Sequence, residues 1–485
     1  VNFLEGIGMQ FGPDLNAYTS FDETVYQLQV PTDKPELIGK ALNVLRDWAA
    51  DISFDPAEVN KERGVVLEEW RLGRGAGMRI FDKQAPIIFH KSKYAERLPI
   101  GKPDILRGAP RETLVRYYKD WYRPDLMAVV AVGDFVPEDM ESRIKAEFGT
   151  LPKPTSARPR TVAAMPAHAQ TLVSIETDPE MPGSSVAILN KIPHRSDGTA
   201  RDYRRMVAEQ LYHAMLNARF DELRRKPDAP FLGAGSSTSK FVRASDIFAL
   251  GAGVKENGVE RGLETLLSEA LRVEKHGFVQ TELDRARKEL LRTYRQSVLE
   301  RDKQNADQFA REIVRHFLEG EAMPGIDREL AMVEKFLPTY TLKELNGLAQ
   351  SWGGSASRVV LISGPATMKK PTVEAITALA RSVGGGTVEA YRDAVSNVPL
   401  LASAPKGGTI KSAREVAEIG VTEWTLSNGV RVVLKSTDFK NDEVRVSAFS
   451  PGGHSLVRDD AFDAARFASS IMSEAGVGPL SLIHI

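Results

Sequence analysis

The stretch Asp55-Pro56-Ala57-Glu58-Val59-Asn60-Lys61-Glu62-Arg63-Gly64-Val65-Val66-Leu67-Glu68-Glu69-Trp70-Arg71 opens with three helix-start signals together. Asp suits the N-cap, Pro the first helical position, and Glu58 stands where a capping box places its acid. At roughly 100° per residue, Val59, Val66 and Trp70 form one apolar stripe. Glu62 and Glu69 fall on the same flank of that stripe, at the margin of the face it is expected to bury. Glu68 points away to solvent. Glu58 has Lys61, and Glu68 has Arg71, three residues on, the spacing of surface ion pairs. Glu62 and Glu69 have no such neighbour. Carboxylates beside a buried face need a cation from elsewhere, because burying an unpaired charge is costly. A metal ion and an arginine from another element both meet that need.

Working outward, Tyr26, Leu28 and Val30 alternate with Gln27 and Gln29. This predicts a half-buried strand within residues 15–30, closed by Pro31. Leu37, Ala41, Val44 and Trp48 space an amphipathic helix over 36–50. Residues 126–134 read as a buried strand, and the proline-rich, basic stretch 151–160 as a linker. A second αβ block follows to about residue 380, with strands near 183–191 and 358–363 and helices near 200–225, 257–275 and 280–317. Residues 384–408, rich in Gly, Ala, Ser and Pro, predict a linker between domains. Trp424-Thr425-Leu426-Ser427-Asn428-Gly429-Val430-Arg431-Val432-Val433-Leu434 then predicts a strand, a turn and a strand. Hairpin signals and helices mix without regular βαβ alternation, so the fold class is α+β.

The 485 residues carry 64 Lys and Arg against 65 Asp and Glu, a net charge of −1. No global field recruits nucleic acid or anionic lipid. A hydrophobic content of 42% excludes a disordered chain, and no apolar run reaches membrane-spanning length. Cysteine is absent. That removes disulfides, cysteine-ligated zinc, iron–sulfur clusters and thiol catalysis, and leaves histidine and carboxylate as metal ligands. The eight histidines form no i, i+4 pair, and neither H-E-x-x-H nor H-x-x-E-H occurs. His213 and His316 lie in helical patterns and read as core or surface histidines. Arg204-Arg205 and Arg224-Arg225-Lys226 read as solvated helix faces. Leu480-Ser481-Leu482-Ile483-His484-Ile485 resembles one translated frame of the transposase adapter used to prepare sequencing libraries. Such a tail would be no part of the fold; a natural terminal strand is the alternative.

Asn16-Ala17-Tyr18-Thr19-Ser20, Thr24-Val25-Tyr26, Glu62 through Glu69, Pro99-Ile100-Gly101 and Trp121-Tyr122-Arg123-Pro124 together resemble the insulinase/pitrilysin metallopeptidases. The run ending in Gly133-Asp134 adds to the likeness, which is to the large bacterial two-half members and covers residues 1–479. It implies repeated αβ domains, each a mainly antiparallel sheet with helices packed on it, in the metallohydrolase fold of the mitochondrial processing peptidase type. Residues 1–153 would be a catalytic-type domain. Residues 154–383 would be a second, non-catalytic domain, with Leu216-Asn217-Ala218-Arg219-Phe220 in its characteristic helix. A linker at 384–420, the start of a degenerate repeat of the first domain at 421–479, and the tail at 480–485 complete the order. In the repeat, Arg466-Phe467-Ala468-Ser469-Ser470 stands where H-x-x-E-H would.

Members of this family hold one zinc through the two histidines of H-x-x-E-H and a glutamate on a later helix. The motif's own glutamate is the general base. By this resemblance Glu69 is the zinc ligand and Glu62 its supporting acid. The H-x-x-E-H segment is expected upstream of Val1, which would leave this piece inactive. Asn16, Ala17, Tyr18 and Thr19 are expected to bind substrate as an edge strand to which an extended peptide adds by backbone hydrogen bonds. A plain sheet edge is the alternative. The parent implied is a zinc-dependent metalloendopeptidase acting on peptides or small proteins in the periplasm or cell envelope. Its two halves would pair within one chain, without nucleic acid or a transmembrane segment. A non-catalytic homologue serving as scaffold or partner subunit is the rival reading, and the codons before Val1 separate the two.

Overall fold

The computed structural model describes residues 14–155, 157–352, 356–393, 406–441 and 443–474, with Gly6, Met9, Gln10, Gly12 and Ser403. The adapter-like tail at 480–485 lies outside the described residues. Leu15–Thr19 (β1) and Thr24–Leu28 (β2) pair antiparallel, with Ala17 opposite Tyr26. Leu172–Asp178 (β3), Ser184–Pro193 (β4), Gly233–Val242 (β5), Ser245–Val254 (β6) and Arg358–Pro365 (β7) make a five-stranded sheet in the order β3-β7-β4-β6-β5. Its β3–β7 pair is parallel and the remaining pairs are antiparallel. Ile410–Val416 (β8), Val421–Leu426 (β9) and Arg431–Lys435 (β10) form a third, antiparallel sheet.

Pro35–Ala50 (α1), Pro56–Leu72 (α2), Ala76–Ile88 (α3), Pro103–Gly108 (α4), Arg111–Trp121 (α5) and Pro137–Phe148 (α6) follow the hairpin. Of these, α1 packs on it through Val44 and Trp48, α6 lies on α1, α4 on α2, and α3 reaches the large sheet. Ala200–Arg224 (α7), Val259–His276 (α8) and Gln280–Leu299 (α9) follow within the five-stranded unit. Thr199 starts α7 with a reciprocal capping box to Asp202. Ile188 and Ile362 point into a core filled by Leu211, Leu216, Leu263 and Leu266 from α7 and α8. At Gly262 an added Cβ would meet Val254 at 2.5 Å, so the glycine lets α8 lie close on the sheet.

Strand side chains alternate between faces, and Leu189 and Leu361 turn to the other side, where they meet Phe89 and Ile88 at the end of α3. There Phe89 stacks on Phe241 at 5.1 Å. Arg79 of α3 holds Asp178 through two hydrogen bonds of 2.7 and 2.5 Å, which keeps that carboxyl at about 2. A helix from the first 150 residues therefore closes the second face of the large sheet.

Two expectations need correcting. Residues 126–134 form no ladder among the described residues; they are half-buried in part and begin in a 3-10 turn. An apolar run becomes a strand only beside another strand, and β1 and β2 pair with each other alone. The expected helix at 280–317 is two, α9 and Ala306–Glu319 (α10), parted by a 3-10 turn at Arg301–Lys303. The stretch 384–408, read as a linker, carries local structure among its described residues. Val373–Gly385 (α11) runs into it, residues 386–393 are bonded to neighbouring helices, and β8 begins at Ile410.

Candidate functional site

Asp55 caps α2, its carboxylate accepting from the Ala57 and Glu58 amides at 2.8 and 3.2 Å. Glu58 lies 3.6 Å from Lys61, so its side chain serves the surface pair and not the expected capping box. Arg63 sets the helix rotation. Its guanidinium donates to the carbonyls of Leu106 and Ala109 at the end of α4. Trp70 lies under the Arg74 guanidinium at 4.4 Å, and Arg74 bonds Asp82 of α3 at 3.0 Å. The inward stripe is thus Val59, Arg63, Val66 and Trp70, all half-buried.

Glu68 pairs with Arg71 at 2.8 Å, as the spacing predicts. Glu62 and Glu69 are exposed, and α2 buries no residue fully. This corrects the expectation that they border a buried face, because α2 is held on one side only, by Arg63 and Trp70. Among the described residues neither carboxylate forms an ion pair or hydrogen bond, so no distant arginine claims them. Two uncontested carboxylates suit a divalent cation. The donor set is partial, since among the described residues no three His, Asp or Glu side chains converge as a metal cluster.

The β1 edge is built differently. Ser20 donates to the Glu23 carbonyl at 2.9 Å and Gln29 to the Asp14 carbonyl at 2.7 Å. With Ala17 opposite Tyr26, even-numbered residues of β1 therefore bond β2, and Ala17 and Thr19 turn their backbone groups outward. No described strand pairs with that side. Asn16, Ala17, Tyr18 and Thr19 are all exposed, and Asn16 Oδ1 accepts from the Ala17 amide at 2.8 Å. Behind the hairpin, Tyr26 and Tyr122 share a hydrogen bond of 2.6 Å, Tyr26 packs on Trp48 at 5.4 Å, and Tyr118 donates to the Trp48 carbonyl at 2.8 Å. Burial is the chief cause that pushes the Tyr122 hydroxyl upward. Tyr122 therefore braces β2, the strand that carries the β1 edge. Sequence reasoning missed Arg63 in its bracing role, although a lone cation on an apolar stripe was the signal for it.

The remaining polar motifs serve the fold. His213 bonds Ser236 at 2.9 Å and Thr238 at 2.8 Å and stacks on Trp352; burial pushes it down to about 4. His316 is exposed, with Nδ1 2.6 Å from the Glu321 carbonyl. Arg204 pairs with Glu344, and Arg224 and Arg225 with Asp221. Among the described residues no helix is long and apolar enough to cross a membrane.

Residues 1–72 match the family model described as insulinase (peptidase family M16), and residues 109–290 match the one described as peptidase M16 inactive domain. A protein of Arabidopsis thaliana named "Zinc protease PQQL-like" is 33% identical over 98% of this chain and 47% of its own length. "Probable zinc protease PqqL" of Escherichia coli strain K12 is 24% identical over 99% of this chain and 52% of its own. The crystal structure of the periplasmic protease PqqL from Escherichia coli aligns with a TM-score of 0.76 at 23% identity, covering 99% of this chain and 53% of that one. The chain spans about half the length of the curated relatives it matches, and the α+β architecture is common to it and the solved structure. Matched by both of the family's domain models and along nearly its whole length by these zinc proteases, the chain belongs to the insulinase family, peptidase family M16.

Proposed function

We propose that these residues form part of a zinc-dependent metalloendopeptidase that hydrolyses peptide bonds of peptides or small proteins in the periplasm or cell envelope. Glu69 supplies a carboxylate ligand, Glu62 supports it, and the remaining ligands and general base lie outside this chain. The piece alone would then be inactive. The observation that carries the reading is the contrast along one helix. Glu68 is neutralised by Arg71, while Glu62 and Glu69, inside the segment matched to the insulinase model, are left open to a cation.

A bound zinc polarises a scissile carbonyl and acidifies a water. Arg63 fixes the rotation that presents Glu69, and Asp55 anchors the start of the helix. The outward groups of Ala17 and Thr19 align an extended peptide by backbone hydrogen bonds, with selectivity left to side-chain contacts. To donate to a peptide carbonyl, the Ala17 amide must release Asn16 Oδ1.

The test is zinc content in the longer protein that includes the segment before Val1. Glu69→Gln is expected to lose zinc. Glu62→Gln should weaken binding by roughly 10–100-fold, as loss of a ligand's supporting partner does, and Glu68→Gln should bind like wild type. Equal zinc in Glu69→Gln and wild type sinks the assignment. A longer protein without H-x-x-E-H and without zinc would instead support the scaffold reading.

A further inference from the structure

Composition makes residues 384–408 look like a free connection, yet residues 386–393 are fastened to three helices. Lys275 donates to the Gly386 carbonyl at 2.5 Å, and His276 Nε2 lies 2.7 Å from the Val388 carbonyl. Arg272 donates to the Glu389 carbonyl. The Tyr391 ring covers the Arg219 guanidinium at 4.2 Å, and its hydroxyl bonds Glu222 at 2.6 Å. Asp393 accepts from Arg285 at 2.8 Å and from the Thr281 hydroxyl. These partners sit at the ends of α7, α8 and α9, around the Arg219–Glu282 ion pair, whose side chains are 1% and 2% exposed.

The fastening has an unusual balance. Gly386, Val388, Tyr391 and Asp393 are half-buried, and Thr387, Glu389, Ala390 and Arg392 are exposed. None of the eight is buried, so the segment is held by specific polar contacts and one cation–π pair, with no apolar core of its own. Such contacts are worth roughly 1 kcal/mol each, and segments held this way open at far lower cost than a core does.

We propose that residues 386–393 are a releasable latch that sets the reach between the five-stranded unit and the β8–β10 sheet. Docked, the chain is carried on the α7–α9 surface as far as Asp393. Released, eight further residues join the connection to Ile410, adding up to roughly 27 Å of reach at about 3.4 Å per residue. A longer tether lowers the effective concentration of one unit at the other. It would also loosen the contact in which Asn441 bonds Glu300 at 2.6 Å and Asp302 at 3.0 Å at the end of α9.

The absence of cysteine makes the test direct, since two introduced cysteines take spin labels without background. Glu264→Cys on α8 and Lys411→Cys on β8, both exposed, report the distance in the 485-residue chain by pulsed electron paramagnetic resonance. Tyr391→Ala and, at the other end of the latch, Asp393→Ala are each expected to shift the distribution outward by 10 Å or more, with circular dichroism unchanged. Unchanged distances in both folded variants overturn the proposal. Loss of the folded state in both overturns it equally, because the segment would then be part of the fold.

Discussion

His213 shows how a residue can be placed in the right class by sequence while its environment stays hidden. Its position in a helical pattern predicts a core or surface histidine, and it is a half-buried one packed against Trp352 and Phe248. The hydroxyls of Ser236 and Thr238 come from β5, which sequence alone does not set against α7. Because burial holds the folded value near 4, against about 6.5 in an unfolded chain, the unfolded state takes up the proton first. The stability linked to the neutral ring is complete above about pH 6.5 and is lost as pH falls toward 4, by about 3 kcal/mol. Melting temperatures between pH 7.5 and 4 should fall more steeply in wild type than in His213→Gln. Parallel curves would refute this. Glu62, Glu68 and Glu69 make the complementary case. The i+3 rule separated the paired acid from the two unpaired ones, but not their exposure, which depends on how one-sidedly α2 is held.

At the scale of elements, α7 to α9 meet at a charge. Arg219 bonds both oxygens of Glu282 at 2.7 and 2.8 Å and the Gly277 carbonyl at 3.0 Å. Arg219→Met would leave Glu282 buried without its cation, a loss of roughly 3–5 kcal/mol. Urea denaturation followed by tryptophan fluorescence reads it through Trp352, which lies in the same core. A loss under 1 kcal/mol would mean that water reaches Glu282. Strands β4 and β7 and helices α7 and α8 were legible because each presents a clean period to one core, whereas β3, β5 and β6 were not read from the sequence. Residues 126–134 were misread for the opposite reason: an apolar run carries no information about whether a neighbouring strand exists. The fastening of residues 386–393 was not legible, because Gly, Ser and Pro content says nothing of arginines on distant helices.

For the whole molecule, the resemblance carried the family and the half-length relation to the relatives, whereas exposure had to be seen. Val444 and Val446 are each 88% exposed and Phe449 is 95% exposed, an apolar stretch that forms no ladder among the described residues. Exposed apolar stretches drive association. Val446→Lys with Phe449→Ser is expected to lower light scattering of the 485-residue chain at equal concentration. Scattering unchanged by the pair would place the association elsewhere.

The parallel β3–β7 pair also imposes a timetable. Leu172 has its partner in Val359, so the edge of the large sheet stays open until that later strand leaves the ribosome. At the usual 5–20 residues per second the delay is roughly 10–40 s. Through that interval α3, synthesised first, has only part of the surface it will finally cover. The early residues must therefore wait, apolar face uncovered, for a strand made long after them, and that interval is when a chaperone would find most to hold.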